Sequence, residues 1–356
     1  MEFSPTAAWC TCPGPLIIAG PCSAETEYQV LKTAEELSRS GKVGVFRAGL
    51  WKPRTHPGLF EGVGAAGLPW MKKVKESTGL LTTVEAGHPD HIRLALDQGI
   101  DMIWIGARTV VNPFMMNEIA GILENRDIPV LIKNPVYPDT ELWTGALERI
   151  YHAGIRKIVA IHRGFYSYDK SRFRNDPLWE LPIELRRRMP SLPMICDPSH
   201  IAGSRNYIRE VAQAAFDLGM DGLMVEVHYD PDQALTDRQQ QITPATLDEI
   251  LSGLRYGEQS AAATPPDRLE DLRRQIDRID ASLLDLLAKR FGIAEEIAMI
   301  KQSQKLNILQ LKRWEHVLES RLRQGKLLGL EESFLKKILE QIHKESIRRQ
   351  SEYLND

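Results

Sequence analysis

The chain has 356 residues, with 45 Lys or Arg against 48 Asp or Glu and a formal net charge of -3; this is more chain than one ordinary core fills, and two domains are expected. The near balance of charge excludes a polybasic nucleic-acid binder or a protein held on an anionic membrane surface, so neither partner is expected. The N-terminal stretch lacks the charged start and apolar run of a signal peptide, and no apolar stretch is long enough to span a bilayer; a cytoplasmic location is expected. Cys10, Cys12, Cys22 and Cys196 lack the paired spacing of a secreted disulfide framework, which fits a reducing compartment. Cys10 and Cys12, in a Pro-containing N-terminal segment, are expected to be chemically idle.

From Leu16 to about Val227 the chain repeats a short apolar run ending in polar residues and then a stretch of helical periodicity, which is βα alternation. The expected strands are Leu16 to Gly20, Val43 to Arg47, Leu80 to Val84, Met102 to Gly106, Pro129 to Lys133, Lys157 to Ile161, Met194 to Asp197 and Leu223 to Val227. Their number and the length they occupy match a closed (β/α)8 TIM barrel. Nearly every strand hands over at its C-terminal end to a charged or metal-competent residue: Cys22, Arg47 and Lys52, Glu85, Arg108, Lys133, His162 and Arg163, His200, and Glu226 with His228. In a barrel these positions converge on one face, whereas an open doubly wound sheet scatters them along a crevice.

After Leu254 the composition shifts to Gly257, Glu258, Gln259, Ser260, three alanines, Thr264, Pro265 and Pro266, a linker composition. Beyond it Leu269, Leu272, Ile276, Ile279, Leu283, Leu286 and Leu287 recur at helical spacing between charged residues. Shorter helices are expected over about Leu309 to Gln324 and Glu331 to Ser351, with Gly325 and Gly329 in the break. The expected organisation is a barrel over 1–255, a linker over 256–266 and an all-α domain over 267–356.

Cys22, His200, Glu226 and Asp237 form a candidate metal site, since a thiolate, an imidazole and two carboxylates suit a divalent manganese, iron, cobalt or zinc ion, while two oxygen donors argue against a closed structural zinc site. The same face carries Arg47, Lys52, Arg54, Arg108, Lys133, Arg163 and Arg205, a density of cation that implies anionic substrates.

Ala19-Gly-Pro-Cys-Ser23, Lys52-Pro-Arg-Thr55, Ile105-Gly-Ala-Arg108, Asp197-Pro-Ser-His200 and Asp221-Gly-Leu-Met-Val-Glu-Val-His228 resemble the signature of the 3-deoxy-D-arabino-heptulosonate 7-phosphate (DAHP) synthases, which condense phosphoenolpyruvate with erythrose 4-phosphate in a metal-dependent, aldol-like step. The resemblance implies that Cys22, His200, Glu226 and Asp237 hold the metal. It further implies that Arg108, Lys133 and Arg163 hold the phosphoenolpyruvate phosphate, and that Arg47 and Lys52 hold its carboxylate. Arg54 and Thr55, with Ser204 and Arg205, then grip the phosphate of the four-carbon sugar, and Lys52 and Glu85 are the candidate proton carriers. Asn134 and Pro135 follow Lys133 where many relatives carry Arg-Gly. The eight-carbon ketosugar phosphate synthases resemble Lys-Ala-Asn-Arg where this chain has Lys52-Pro-Arg-Thr, which favours the shorter aldose. No ferredoxin-like or ACT-type regulatory extension is expected ahead of the barrel.

The helical region resembles the all-helical chorismate mutases, intertwined dimers that rearrange chorismate to prephenate, with Leu272-Arg273, Arg290, Lys301, Arg313, Ser346 and Gln350 at the family's separations. Along one straight helix Arg273 and Arg290 stand roughly 25 Å apart, too far to hold one small dicarboxylate within a single chain, whereas Arg290 and Lys301 are about three turns apart. By the resemblance Arg273 of a partner chain and Arg290 bind the carboxylates, Arg313 adds contacts, Lys301 and Gln350 bond the ether oxygen, and Ser346 joins the binding site. Trp314 stands where many relatives carry a glutamate that contacts the substrate hydroxyl, and Gln310 where an aspartate is common. The expectation is therefore a bifunctional enzyme, at least a homodimer through its helices, in which prephenate bound to the helical domain inhibits the barrel; the alternative is a helical module that only dimerises and senses ligand.

Overall fold

The computed structural model describes residues 1–10, 14–52, 58–168, 172–256, 266–304, 306–307 and 309–355. Cys12, Arg54, Thr55 and most of the expected linker lie outside the described residues. The chain divides into two compact units, Met1–Ser260 and Ala261–Asp356.

In the first unit β1 (Leu16–Gly20), β2 (Val45–Ala48), β3 (Leu81–Ala86), β4 (Met102–Ile105), β5 (Val130–Lys133), β6 (Ile158–His162), β7 (Met194–Cys196) and β8 (Gly222–Glu226) form a closed barrel in sequence order, every pair parallel and β1 sealed against β8 from Leu16↔Gly222 to Gly20↔Glu226. Helices start where the sequence supplies a cap: the side chains of Thr26, Asn112, Asp139 and Thr243 accept from first-turn backbone N–H groups, which satisfies donors that no helical carbonyl reaches.

Alternation along the strands decides what faces the barrel axis. Leu16, Ile18, Val45, Met102, Trp104, Leu131, Val159, Ile161, Ile195 and Met224 fill the interior, with Cys10 in the same cluster and Trp9 packed against it. The residues between them, such as Ile17, Phe46, Ile103, Ile132, Ala160 and Leu223, join the larger core with the helices. One further step of two along each strand reaches Gly20, Arg47, Glu85, Gly106, Lys133, Arg163, Asp197 and Glu226, so the top interior layer is charged except at its two glycines, where the layers below are apolar. The ends of every strand but β1 differ from expectation by a residue or two, and Glu85 and His162 lie inside strands instead of after them.

His162 is a correction. Its parity, one past the interior Ile161, turns it outward into the helix layer, where its ring lies 5.0 Å from that of Trp179. Burial pushes the imidazole down to about 3, against the opposing pull of the Pro177 backbone, so it is a neutral packing residue. Cys10 also departs from expectation: it is disulfide-bonded.

The second unit contains α1 (Pro266–Ser303), α2 (Leu311–Leu327) and α3 (Glu332–Asn355), with α1 and α2 each packed on α3. Gly325, expected in the break, lies inside α2, where a Cβ would come 2.1 Å from Leu335 Cδ2; Gly329, at φ 76°, makes the turn. Among the described side chains Ala294, Ala298, Gly325, Ser346 and Gln350 are buried. Leu272, Ile276, Ile279, Leu283 and Leu286 along α1 are 43–61% exposed in a single chain.

Gly20 has φ 150°, and a Cβ on it would stand 2.1 Å from the Arg47 carbonyl oxygen. Gly20→Ala is expected to force β1 from β2 and cost roughly 2–4 kcal/mol, read as a lower melting temperature of the barrel; an unchanged melting curve refutes the close approach.

Candidate active sites

At the barrel mouth a cavity of about 270 Å³ is lined by Lys52, Glu85, Arg108, Lys133, Arg163, Arg174, Asn175, His200 and Asp237, among others. Cys22, Glu226 and Asp237 each bring a ligand atom to within 4.8 Å of the others. Cys22 follows β1, Glu226 ends β8, and Asp237 is carried back over the mouth by a loop in which it adopts φ 43°, a left-handed conformation that Asp tolerates better than most residues. The backbone of Glu226 is fixed by Ser199 Oγ, which accepts its N–H at 2.9 Å, and by Ile242, whose N–H donates to its carbonyl.

His200 stands at the edge of this cluster, with Nε2 3.8 Å from Glu226 Oε1 and Nδ1 2.8 Å from Asp197 Oδ2. Burial lowers its pKa, and Asp197 opposes the shift. With the proton on Nδ1, toward the carboxylate, Nε2 offers a lone pair on the side of Glu226. Cys22 is pushed up to about 12, first by burial and then by Glu226; a thiolate at this position therefore calls for added positive charge. A divalent cation supplies that charge, and a thiolate, two carboxylates and an imidazole are a donor set that holds one.

Each buried carboxylate has a cation. Asp197 receives Lys133 Nζ at 2.8 Å, Glu226 Oε1 lies 3.3 Å from Arg47 Nη2, and Asp237 Oδ1 accepts from Arg174 Nη1 at 2.9 Å. Burial alone would raise all three pKa values, yet they lie below the usual carboxylate range: His200 and Lys133 act on Asp197, His200 and Arg47 on Glu226, and Arg174 on Asp237. Lys52 Nζ donates to the Cys22 carbonyl at 3.1 Å and reaches Cys22 Sγ at 3.3 Å. Burial would lower its pKa, but Cys22, Glu85 and Glu226 raise it, keeping it an ammonium. Arg163, drawn down to about 10 by burial, donates to Asn175 Oδ1 at 2.9 Å.

Arg108, Lys133, Arg163, His200, Asp237 and Lys52 line this one cavity. Arg47 lies beneath the cavity, its guanidinium 4.7 Å over the Trp104 ring. Ser204 and Arg205 are not brought to the lining: Arg205 donates to Asp232 and to the Arg238 carbonyl, each at 2.7 Å. Arg54 and Thr55 lie outside the described residues. Sequence reasoning passed over Arg174, Asn175 and the partner role of Asp197. Only Asp197 carried a signal, its parity with Ile195. Asn134, the departure beside Lys133, accepts the Arg163 N–H at 2.7 Å and donates to the Gly164 carbonyl at 2.8 Å, tying the ends of β5 and β6 together.

In the helical unit Arg290 Nη1 donates to Ser346 Oγ at 2.6 Å and Lys301 Nζ to Gln350 Oε1 at 3.1 Å, which joins four of the expected residues across α1 and α3. Arg273 and Arg313 stay outside this group; Arg273 is exposed and bonds Glu270 one turn away. Trp314 stacks on His343, with ring centroids 3.9 Å apart and planes at 7°.

A parallel barrel with this charged mouth is the framework of an enzyme acting on small anions, and the three-helix unit brings a second group of cations of its own. The sequence matches the DAHP synthetase I family over residues 13–259 and chorismate mutase type II over 272–351; the chain belongs to the DAHP synthetase I family and carries a chorismate mutase domain. It is 34% identical over 240 residues to a phospho-2-dehydro-3-deoxyheptonate aldolase of Thermotoga maritima, covering 67% of this chain and 68% of that one. It is 29% identical over 259 residues to a 2-dehydro-3-deoxyphosphooctonate aldolase of Desulfatibacillum aliphaticivorans, covering 67% and 90%. A crystal structure of the Thermotoga maritima DAHP synthase matches with a TM-score of 0.60 and 31% identity over 67% of each chain. The two domains make this a bifunctional shikimate-pathway enzyme, a 3-deoxy-7-phosphoheptulonate synthase and a chorismate mutase. Among the described residues no helix is long and apolar enough to cross a membrane.

Asp197→Asn would leave the Lys133 ammonium buried beside a neutral amide. We expect a loss of about 3–5 kcal/mol in urea denaturation, with a substantial part recovered in the Asp197→Asn, Lys133→Met double variant. Additive losses would mean that the pair is not coupled.

Proposed function

We propose that the barrel joins phosphoenolpyruvate to erythrose 4-phosphate, releasing phosphate, with a divalent ion held by Cys22, His200, Glu226 and Asp237, while the helical unit turns chorismate into prephenate. The observation that carries the first half is the meeting of Cys22, Glu226 and Asp237 within 4.8 Å beside a cavity lined by Lys52, Arg108, Lys133, Arg163 and Arg174. The ion, when bound, supplies Lewis-acid polarisation of the sugar aldehyde. Arg108, Lys133 and Arg163 are assigned to the phosphate of phosphoenolpyruvate, and Arg47 and Lys52 to its carboxylate, so that the two substrates react as a near-unimolecular pair. Charge that develops as water adds and phosphate departs is spread over the same cations. Lys52, a protonated amine beside Cys22, is the stronger candidate to hold the transferred proton, with Glu85 the other. Arg54 and Thr55, with Ser204 and Arg205 further out, are assigned to the sugar phosphate.

Preference for the four-carbon aldose rests on Lys52-Pro-Arg-Thr and is tested by phosphate release with erythrose 4-phosphate against arabinose 5-phosphate. Faster turnover of arabinose 5-phosphate would reverse the assignment. Chelation is expected to abolish the synthase reaction and manganese to restore it, and Cys22→Ala is expected to weaken the bound metal by at least tenfold in equilibrium dialysis. Full activity after exhaustive chelation would remove the metal from the reaction.

For the rearrangement, Arg290 with Arg273 of a second chain are assigned to the carboxylates, Lys301 and Gln350 to the ether oxygen, and Arg313 and Ser346 to supporting contacts. No covalent step is needed, because holding the folded conformer and stabilising its developing charge carries the acceleration. A second copy covering the exposed Leu and Ile residues of α1 accounts for the homodimer that we infer. The cell compartment we assign is the cytoplasm. Prephenate held on the helical unit is taken to slow the barrel. Lys301→Ala is expected to lower prephenate formation at least a hundredfold, and ending the chain at Ser260 to leave a synthase blind to prephenate. If the intact enzyme is equally blind, the regulatory reading falls.

A further inference from the structure

The ring of Trp314 is committed to a stack on His343, with centroids 3.9 Å and planes 7° apart. His343 lies on α3 three residues before Ser346 and seven before Gln350, hence on the same helix face. Ser346 accepts from Arg290 and Gln350 from Lys301, so this face is the one turned toward the cations of the mutase site. Burial, then Arg290 and Lys301, lower the His343 pKa, which places the ring within the influence of both cations. Its Nε2 is buried and has no partner among the described residues, and a buried polar atom left unmade costs free energy that a ligand contact restores.

Building on the mutase reading above, we propose that His343 is a substrate-binding residue of this site: its Nε2 bonds the ring hydroxyl of chorismate and prephenate, while Trp314 serves as the platform that fixes the imidazole. The ring hydroxyl is the one O–H donor that these two dicarboxylates offer to an imidazole nitrogen, and the stack accounts for the presence of a large aromatic at position 314.

The test uses the full chain. His343→Phe keeps an aromatic ring on Trp314 and removes the nitrogen; mutase kcat/KM is expected to fall about tenfold or more, with melting temperature and synthase rate unchanged. His343→Gln, which restores a hydrogen-bonding group, is expected to recover most of the loss. Undiminished kcat/KM in His343→Phe overturns the proposal. Should that variant fold poorly, the imidazole 15N resonances of the wild-type protein decide: titration with prephenate is expected to shift those of His343, and unmoved resonances at saturation overturn the assignment. Lys301→Ala separates the two levels. If it forms prephenate at the wild-type rate, the mutase site itself is misassigned; if it is inactive and His343→Phe is not, only the role of His343 falls.

Discussion

Asp197, Glu226 and Asp237 all belong to the charged top of an otherwise apolar barrel, and none of them tolerates that position alone. A carboxylate withdrawn from water neutralises itself unless a cation is brought with it. Lys133 at 2.8 Å, Arg47 at 3.3 Å and Arg174 at 2.9 Å meet that demand. The three cations come from β5, from β2 and from the loop after β6, so pairing the acids holds distant parts of the chain together. The site and the fold are consequently hard to vary separately.

The same pairing sets the electrostatic character of the mouth. The cavity lining holds Lys52, Arg108, Lys133, Arg163 and Arg174 against Glu85 and Asp237, an excess of positive charge that suits small anionic substrates. The acid cluster nevertheless keeps a local opening for positive charge, since Cys22 is raised to about 12 where it sits against Glu226. A cation-seeking corner and an anion-seeking cavity lie side by side, and the proposed aldol-type chemistry would use both.

The helical unit rests on different physics. Its buried positions are small or polar, Ala294, Ala298, Gly325, Ser346 and Gln350, while Leu and Ile residues of α1 remain exposed in the single chain. Helices draw most of their stability from covering an apolar face, and this one is uncovered.

Much of this was legible before any coordinates. Strand period, turn residues and the linker composition are local properties, and they marked the barrel, the break near Leu254 and the long helix from Asp267. Parity along each strand was sufficient to bring Lys133, Arg163 and Glu226 to one face, because alternation is a property of the extended backbone itself. His162 shows the limit of a reading by proximity to a strand end: one residue of parity turned it away from the chemistry. What tertiary structure alone decided is which charges meet. Arg174 reaches Asp237 across 63 positions, Lys133 reaches Asp197 across 64, and Trp314 finds His343 on another helix. A linear sequence carries no record of such partners, since electrostatic and stacking contacts act through space between side chains that only the closed barrel and the packed helices bring into range.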